Sequence, residues 1–357
     1  MVNRLTLAVA GSGKTRGLVE HCAVLAPDRR IAVLTYTQAN QSVLQTRLAA
    51  VAGDHAGIEV MGWFTFLLRH FARPFLPFKF PGRRVLGFNF DGRPYRMAKH
   101  EQRYLDKHSS VYMCELGRLA HELIGASNGS LMRRLECIYD EIVIDEVQDL
   151  SAHDWEILDA LLHSSLDVTM VGDIRQAVIS TNPRSSKNKK YANVGSIEWF
   201  RERERTSLLA IADSCVTYRY RPEIAAFGDK IFGDDWGFPA TESRNLRETG
   251  HDGVFLVHPE HLAAYVECFE PQCLRHSAGS GKRFDLDYMN FNVSKGTEHQ
   301  RILIVPTAVI EEFLHSGVPL KSASAASFYV AVTRAFQSVA IVTEKAGSCG
   351  LPWWTPE

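Results

Sequence analysis

The sequence predicts an α/β protein built on parallel sheets. Short apolar, β-rich runs recur at residues 5–10, 31–36, 142–145, 167–173, 254–258, 301–305 and 339–343. Stretches of helical period at residues 38–51, 152–162 and 222–232 lie between them, and strands alternating with helices imply sheets covered on both faces. The third observation is bulk composition: 357 residues, 45% hydrophobic and 23% charged, describe an ordinary globular chain with material for two domains.

Composition also excludes several classes. Forty Lys and Arg against 41 Asp and Glu leave no chain-wide basic footprint, so any nucleic-acid surface must be local. The seven cysteines are scattered and form no CxxC pair, which argues against a disulfide scaffold and for reduced thiols in a cytoplasmic compartment. No apolar run approaches the roughly 18–20 residues of a membrane span, and no membrane association is expected. Residues 4–10 imitate a secretory signal. The apolar run is shorter than the roughly 7–15 residues such a signal uses and meets a glycine loop at once, so a buried first strand is expected.

Ala8-Val9-Ala10-Gly11-Ser12-Gly13-Lys14-Thr15 follows that strand and opens a helical stretch. Small residues let backbone N–H groups turn inward around phosphates, and the helix N-terminus adds positive potential. Ala10, Gly11, Ser12, Gly13, Lys14 and Thr15 are therefore the candidate nucleotide cradle, with Lys14 reaching the β- and γ-phosphates and the Thr15 hydroxyl reaching Mg²⁺. Gly279-Ser280-Gly281-Lys282 repeats the glycines and lysine but continues into Arg283 and follows no apolar strand. An exposed turn is expected there.

Ile142-Val143-Ile144-Asp145-Glu146-Val147-Gln148-Asp149 sets adjacent carboxylates at the end of a buried strand. Asp145 is the candidate Mg²⁺ holder beside Thr15, and Glu146 the candidate acceptor of a proton from attacking water. A kinase needs no such glutamate, whereas an ATP hydrolase does.

Two regions break the alternation. Residues 69–134 hold thirteen Lys/Arg against five Asp/Glu, interleaved with Phe71, Phe75, Phe78, Phe80, Phe88, Phe90, Tyr95 and Tyr104. This reads as an inserted subdomain, with DNA contact, a small core of its own and a partner surface all compatible with the composition. Residues 182–205 read as a basic loop entering a helix. Cys268, Cys273 and His276, with His258 and His261 nearby, fit no strong zinc spacing and are expected to be ordinary residues.

These elements together resemble superfamily 1 helicases of the UvrD/Rep type. Thr35-Tyr36-Thr37-Gln38-Ala39 and Gly62-Trp63-Phe64-Thr65 resemble that family's first DNA-contacting segments, the second departing from the usual Thr and His at Trp63 and Thr65. Gly172-Asp173-Ile174-Arg175-Gln176, Tyr218-Arg219, Lys295-Gly296-Thr297-Glu298 and Tyr329-Val330-Ala331-Val332-Thr333-Arg334-Ala335 follow in family order. The resemblance implies two RecA-like domains: residues 1–66 with 136–206, interrupted by an insert at 67–135, and residues 207–357. It implies that Gln176 senses the γ-phosphate, Tyr218 stacks on adenine with Arg16 beside the base, Glu298 contacts the ribose, and Arg219 and Arg334 reach the γ-phosphate from the second domain. Lys14, Asp145, Glu146, Gln176, Arg219 and Arg334 are then the catalytic set, and Tyr36, Thr37, Trp63 and Phe64 the candidate DNA contacts.

Four departures from the family shape the expected activity. No counterpart of the upstream glutamine segment that reads adenine precedes Leu5. The places of two base-stacking aromatics after Gln176 fall near Ile179 and Thr181, about 70 residues rather than a large subdomain separate Arg219 from Lys295, and residues 322–327 are a serine-alanine stretch. The expectation is Mg²⁺-ATP-driven movement on single-stranded DNA or a single-strand/duplex junction, in the 3′ to 5′ sense, with limited unwinding. A DNA-sensing switch gating a partner nuclease in defence or repair is the alternative.

Overall fold

The computed structural model describes residues 3–182 and 184–356. Six parallel strands form the first sheet: β1 (Asn3–Ala8), β2 (Ile31–Thr35), β3 (Ile58–Gly62), β4 (Glu141–Ile144), β5 (Asp167–Gly172) and β6 (Ala210–Ser214), in the order β3-β2-β4-β5-β1-β6. Every residue of β2 is buried, as a strand covered on both faces requires. Alternation divides it: Ile31 and Val33 face α1 (Lys14–Val24) and α2 (Gln38–Val51) through Leu18, Cys22, Leu44 and Leu48. Ala32 and Leu34 join the larger core on the other side.

A second six-stranded parallel sheet comprises β7 (Gly253–Val257), β8 (Gln272–Arg275), β9 (Tyr288–Asn290), β10 (His299–Val305), β11 (Ala335–Val342) and β12 (Trp353–Trp354), ordered β9-β8-β10-β11-β7-β12. The seven apolar runs all form strands of the two sheets. The serine-alanine stretch at 322–327 opens the helix Ser322–Val332, whose last eight residues are buried. A helix apolar on all sides belongs inside, and this one leads directly to Arg334.

One boundary differs from expectation. β6, placed by sequence in the second domain, pairs with β1 throughout residues 210–214, so the first sheet extends past residue 206. Its edge position leaves Ala210, Ala212 and Asp213 exposed; the short apolar stretch Leu208-Leu209-Ala210-Ile211-Ala212 marks a strand but not the sheet it joins, which its pairing with β1 decides. The insert, in turn, does not keep a separate core: Phe71, Phe75 and the buried face of the helix Met113–Ala126 (Leu116, Leu119, Ala120, Leu123) belong to the cluster that contains Leu34 and Ile144. Phe78, Phe90 and Tyr95 remain exposed, at 57%, 64% and 77%. Gly279 to Lys282 does form a turn, with Ser280 Oγ accepting from Ser277 N at 2.9 Å. No helix among the described residues is long and apolar enough to cross a membrane.

The second domain carries a pH-sensitive packing element. His251 is stacked between Phe269 (3.9 Å) and Phe255 (4.3 Å) and bonds Tyr265 Oη at 2.8 Å. Burial, aided by Arg301, holds its pKa down to about 4. The unfolded chain therefore binds a proton that the folded chain refuses between pH 6.5 and 4, and stability is lost as pH falls through that window. The effect is worth up to about 3 kcal/mol. His251→Phe should flatten the fall, measured as the difference in urea unfolding free energy between pH 7.5 and pH 5.

Candidate functional site

The site lies at the carboxyl ends of β1, β4 and β5, where ligands of open α/β sheets bind. After β1 the chain turns through Gly11 (φ 73°) and Gly13 (φ 83°), both in the left-handed region that favours glycine. Gly13 directly precedes α1 and leaves open space where a side chain would stand. A Cβ on Gly11 would lie 2.4 Å from Arg219 Cβ, because the segment after β6 is bonded to the loop. Thr217 Oγ1 donates to Ala10 O at 2.8 Å, and Tyr218 N to Gly11 O at 3.0 Å. Lys14 Nζ rests on Ala8 O at 3.4 Å. Ser12 Oγ is buried in the loop without a partner.

Two strands away, β4 delivers Asp145, which is buried and accepts from Glu146 N at 3.0 Å. Glu146 is left-handed (φ 56°), a conformation that costs a non-glycine residue energy and is retained where the surroundings impose it. Burial and the neighbouring Glu146 push the Asp145 carboxyl up, and burial opposes ionisation of Glu146 too. Lys295, Lys14 and the Gln148 amide overcome that opposition and hold Glu146 well below the usual carboxylate range. Glu146 is thus ionised at neutral pH.

Two contacts join the two halves here, and a third fixes Arg219 beside them. Arg334 Nη2 donates to Gln176 Oε1 at 2.9 Å, while Gln176 Nε2 donates to Asp173 Oδ2 at 2.7 Å. Lys295 Nζ reaches Asp149 at 2.8 Å and Glu146 at 3.7 Å. Arg219 pairs with Glu298 at 2.5 Å and bonds Thr333 O at 3.4 Å. The structure therefore gathers Lys14, Asp145, Glu146, Gln176, Arg219 and Arg334 around one crevice. Arg219 departs from expectation in its support: it stands on the crossing segment laid against the phosphate loop, rather than on the second sheet.

Lys295 is the member that pattern reading leaves without a role. Its signal is the unusual density of carboxylates at Asp145, Glu146 and Asp149, which demands a cation from somewhere in the fold. Arg175, by contrast, is structural: it is buried, bonded to Asp229 at 2.9 Å and lies 5.0 Å from the Tyr329 ring centroid.

The rim residues divide. Tyr218 is 68% exposed, and Arg16 is exposed and paired with Glu20 at 2.7 Å. Tyr36 and Phe64 lie together, with ring centroids 5.8 Å apart, and both are partly exposed. Thr37 Oγ1 caps α2 by accepting from Asn40 N at 3.2 Å. Trp63 corrects the expectation of a DNA contact: it is 2% exposed, packed beside Phe66 at 5.9 Å, and presents no face to a base. Thr181, where the family places a stacking residue, is buried and bonds Asp154 and Ser151.

The AAA domain family matches residues 3–182, just over half of the chain, including the phosphate loop, Asp145, Glu146 and Gln176. The chain belongs to the AAA domain family. Membership and the crevice geometry together support an NTP-hydrolysing enzyme, with the AAA domain supplying the cradle and the carboxylates. No curated protein shows significant sequence similarity to the chain. Among solved structures, arterivirus nonstructural protein 10 (helicase) is similar at a TM-score of 0.48 and 14% identity, over 96% of this chain and 59% of that one. Its complex with DNA gives 0.45 and 16%, over 95% and 60%. The chain thus spans about three-fifths of the length of those helicase chains.

If Tyr218 holds the base, Tyr218→Ala should raise KM for ATP about tenfold and leave kcat nearly unchanged. That is the size of one lost aromatic stack on a base. Steady-state hydrolysis across ATP concentrations checks it.

Proposed function

We propose that this crevice hydrolyses ATP and that the resulting opening and closing of the two halves drives movement along single-stranded DNA. The observation that carries the reading is the Arg334–Gln176 contact, which brings a guanidinium from the second half to the phosphate-loop half. The loop fits a triphosphate: Gly13 leaves the cradle open, Ser12 Oγ is buried and unpartnered, and α1 begins at Lys14. Thr15 and Asp145 would hold Mg²⁺, which supplies charge neutralisation of the phosphates when bound.

In this reading Lys14 binds the β- and γ-phosphates and Glu146 takes the proton of the attacking water. Gln176 orients that water or senses the γ-phosphate, while Arg334 and Arg219 stabilise the charge that builds on the transferred group. Glu298 leaves Arg219 for the ribose when nucleotide enters. Triphosphate then has higher affinity for the closed crevice than diphosphate has, which is the differential binding that a cycle requires.

A specific observation favours the switch as a second reading. With Trp63 buried and Thr181 tied down, Tyr36 and Phe64 are the remaining members of the expected stacking set. Such a grip suits ATP-dependent sensing of a strand, with a partner nuclease as the regulated component.

The experiment measures ATP hydrolysis with and without single-stranded DNA, alongside displacement of a tightly bound protein roadblock. A motor shows DNA-stimulated turnover and clears the block. A switch binds DNA in an ATP-dependent manner and leaves the block in place. Turnover indifferent to DNA in both assays would overturn both readings.

A further inference from the structure

A cavity of about 390 Å³ opens on the insert, and none of its lining residues belongs to the crevice. That volume lies in the range of small-molecule sites, roughly 300–1,000 Å³. Its wall carries Lys79, Lys99, Arg103 and Arg118, with His100 between them and Glu122 as its acid. Glu122 is already answered from within the fold: Tyr104 Oη donates to it at 2.5 Å, Arg118 Nε at 3.0 Å, and Lys79 Nζ lies at 3.1 Å.

The cations are less completely answered. Arg103 pairs with Glu115 at 2.8 Å through Nη2, yet its Nε is buried without a partner. Lys99 is exposed and has no side-chain partner among the described residues. His100 adopts φ 53°, a left-handed conformation at the start of the turn that carries Arg103. Strain of this kind in a non-glycine residue gathers at ligand clamps. Phe80 and Tyr104, with ring centroids 5.9 Å apart, supply an aromatic side to an otherwise cationic cavity.

Excess positive charge excludes a metal cation as the occupant, and convergence of cations from three separate segments suits a dianion better than a single carboxylate. We propose that this cavity binds the phosphate of a nucleotide, free or at the terminus of a strand. The phosphate lies on Lys99, Arg103 and Arg118, and the sugar or base rests against the partly exposed Phe80, which the buried Tyr104 backs. The inference is independent of ATP hydrolysis, because it concerns residues the crevice does not use.

The test uses the full chain carrying Lys14→Ala, which removes the principal phosphate contact of the crevice. Calorimetric titrations compare AMP, a 5′-phosphorylated oligothymidylate and its 5′-hydroxyl twin. AMP binding, or a preference of about fivefold or more for the phosphorylated strand, is the expected result, the former marking a free nucleotide and the latter a strand end as the source. Adding Lys99→Glu should weaken whichever binding is seen by about tenfold, with the thermal unfolding midpoint unchanged. The proposal is overturned if AMP fails to bind and the two strands bind alike, or if binding survives Lys99→Glu undiminished.

Discussion

Arg334→Ala is expected to lower kcat for ATP hydrolysis by about 10³–10⁵-fold, the range associated with an arginine that stabilises charge in phosphoryl transfer. Its position makes the expectation specific. The guanidinium is 2% exposed, anchored through Nε to Val330 O at 2.9 Å and aimed through Nη2 at Gln176. Burial, with Arg219 nearby, lowers its pKa to about 10, which leaves it charged at neutral pH. Arg334→Lys keeps a charge but loses the fork that reaches two acceptors at once, so activity should recover only in part. Removing the side chain also leaves Gln176 Oε1 without a donor, at about 1–3 kcal/mol, while Val330 O keeps Thr333 Oγ1 and Gln176 Nε2 keeps Asp173. Unfolding measurements on both variants, beside single-turnover hydrolysis, separate that loss from the catalytic one.

Glu146→Gln is expected to lower kcat by about 10²–10⁴-fold while nucleotide binding persists. Glu146 is kept ionised by Lys295 and Lys14, and Gln148 bonds its Oε2. The amide matches the shape and keeps an acceptor oxygen for that bond, but it cannot take a proton from water. Pre-steady-state quench should therefore show bound, uncleaved ATP. Because the folded pKa of Glu146 is depressed, its ionised form contributes stability present above the unfolded pKa, near 4.5, and lost as pH falls toward the folded one. The glutamine variant should lack that part of the acid dependence.

Much of this architecture is written in the sequence. The phosphate loop was legible because strand, glycines, lysine and helix stand in one contiguous stretch, and Asp145 because four buried residues precede it. β3 and β6 were not: Glu59 interrupts the short run of Ile58–Gly62, and nothing in the apolar stretch that enters Ala210–Ser214 says that it pairs with β1. Trp63 reads as a stacking platform from its motif, yet its burial is decided by the neighbouring Phe66 and the core cluster behind it. Lys295 was hidden for a different reason. Its partner Asp149 lies 146 residues away, and a pairing made only when two sheets meet leaves no local pattern.

In the proposed cycle one triphosphate is held by both halves. A crystal structure of the Glu146→Gln chain with Mg²⁺ and ATP tests it most directly. Lys14 Nζ and the guanidinium groups of Arg334 and Arg219 are each expected within about 3 Å of γ-phosphate oxygens. Nucleotide seated on the loop with both arginines still turned to Gln176 and Glu298 would contradict it.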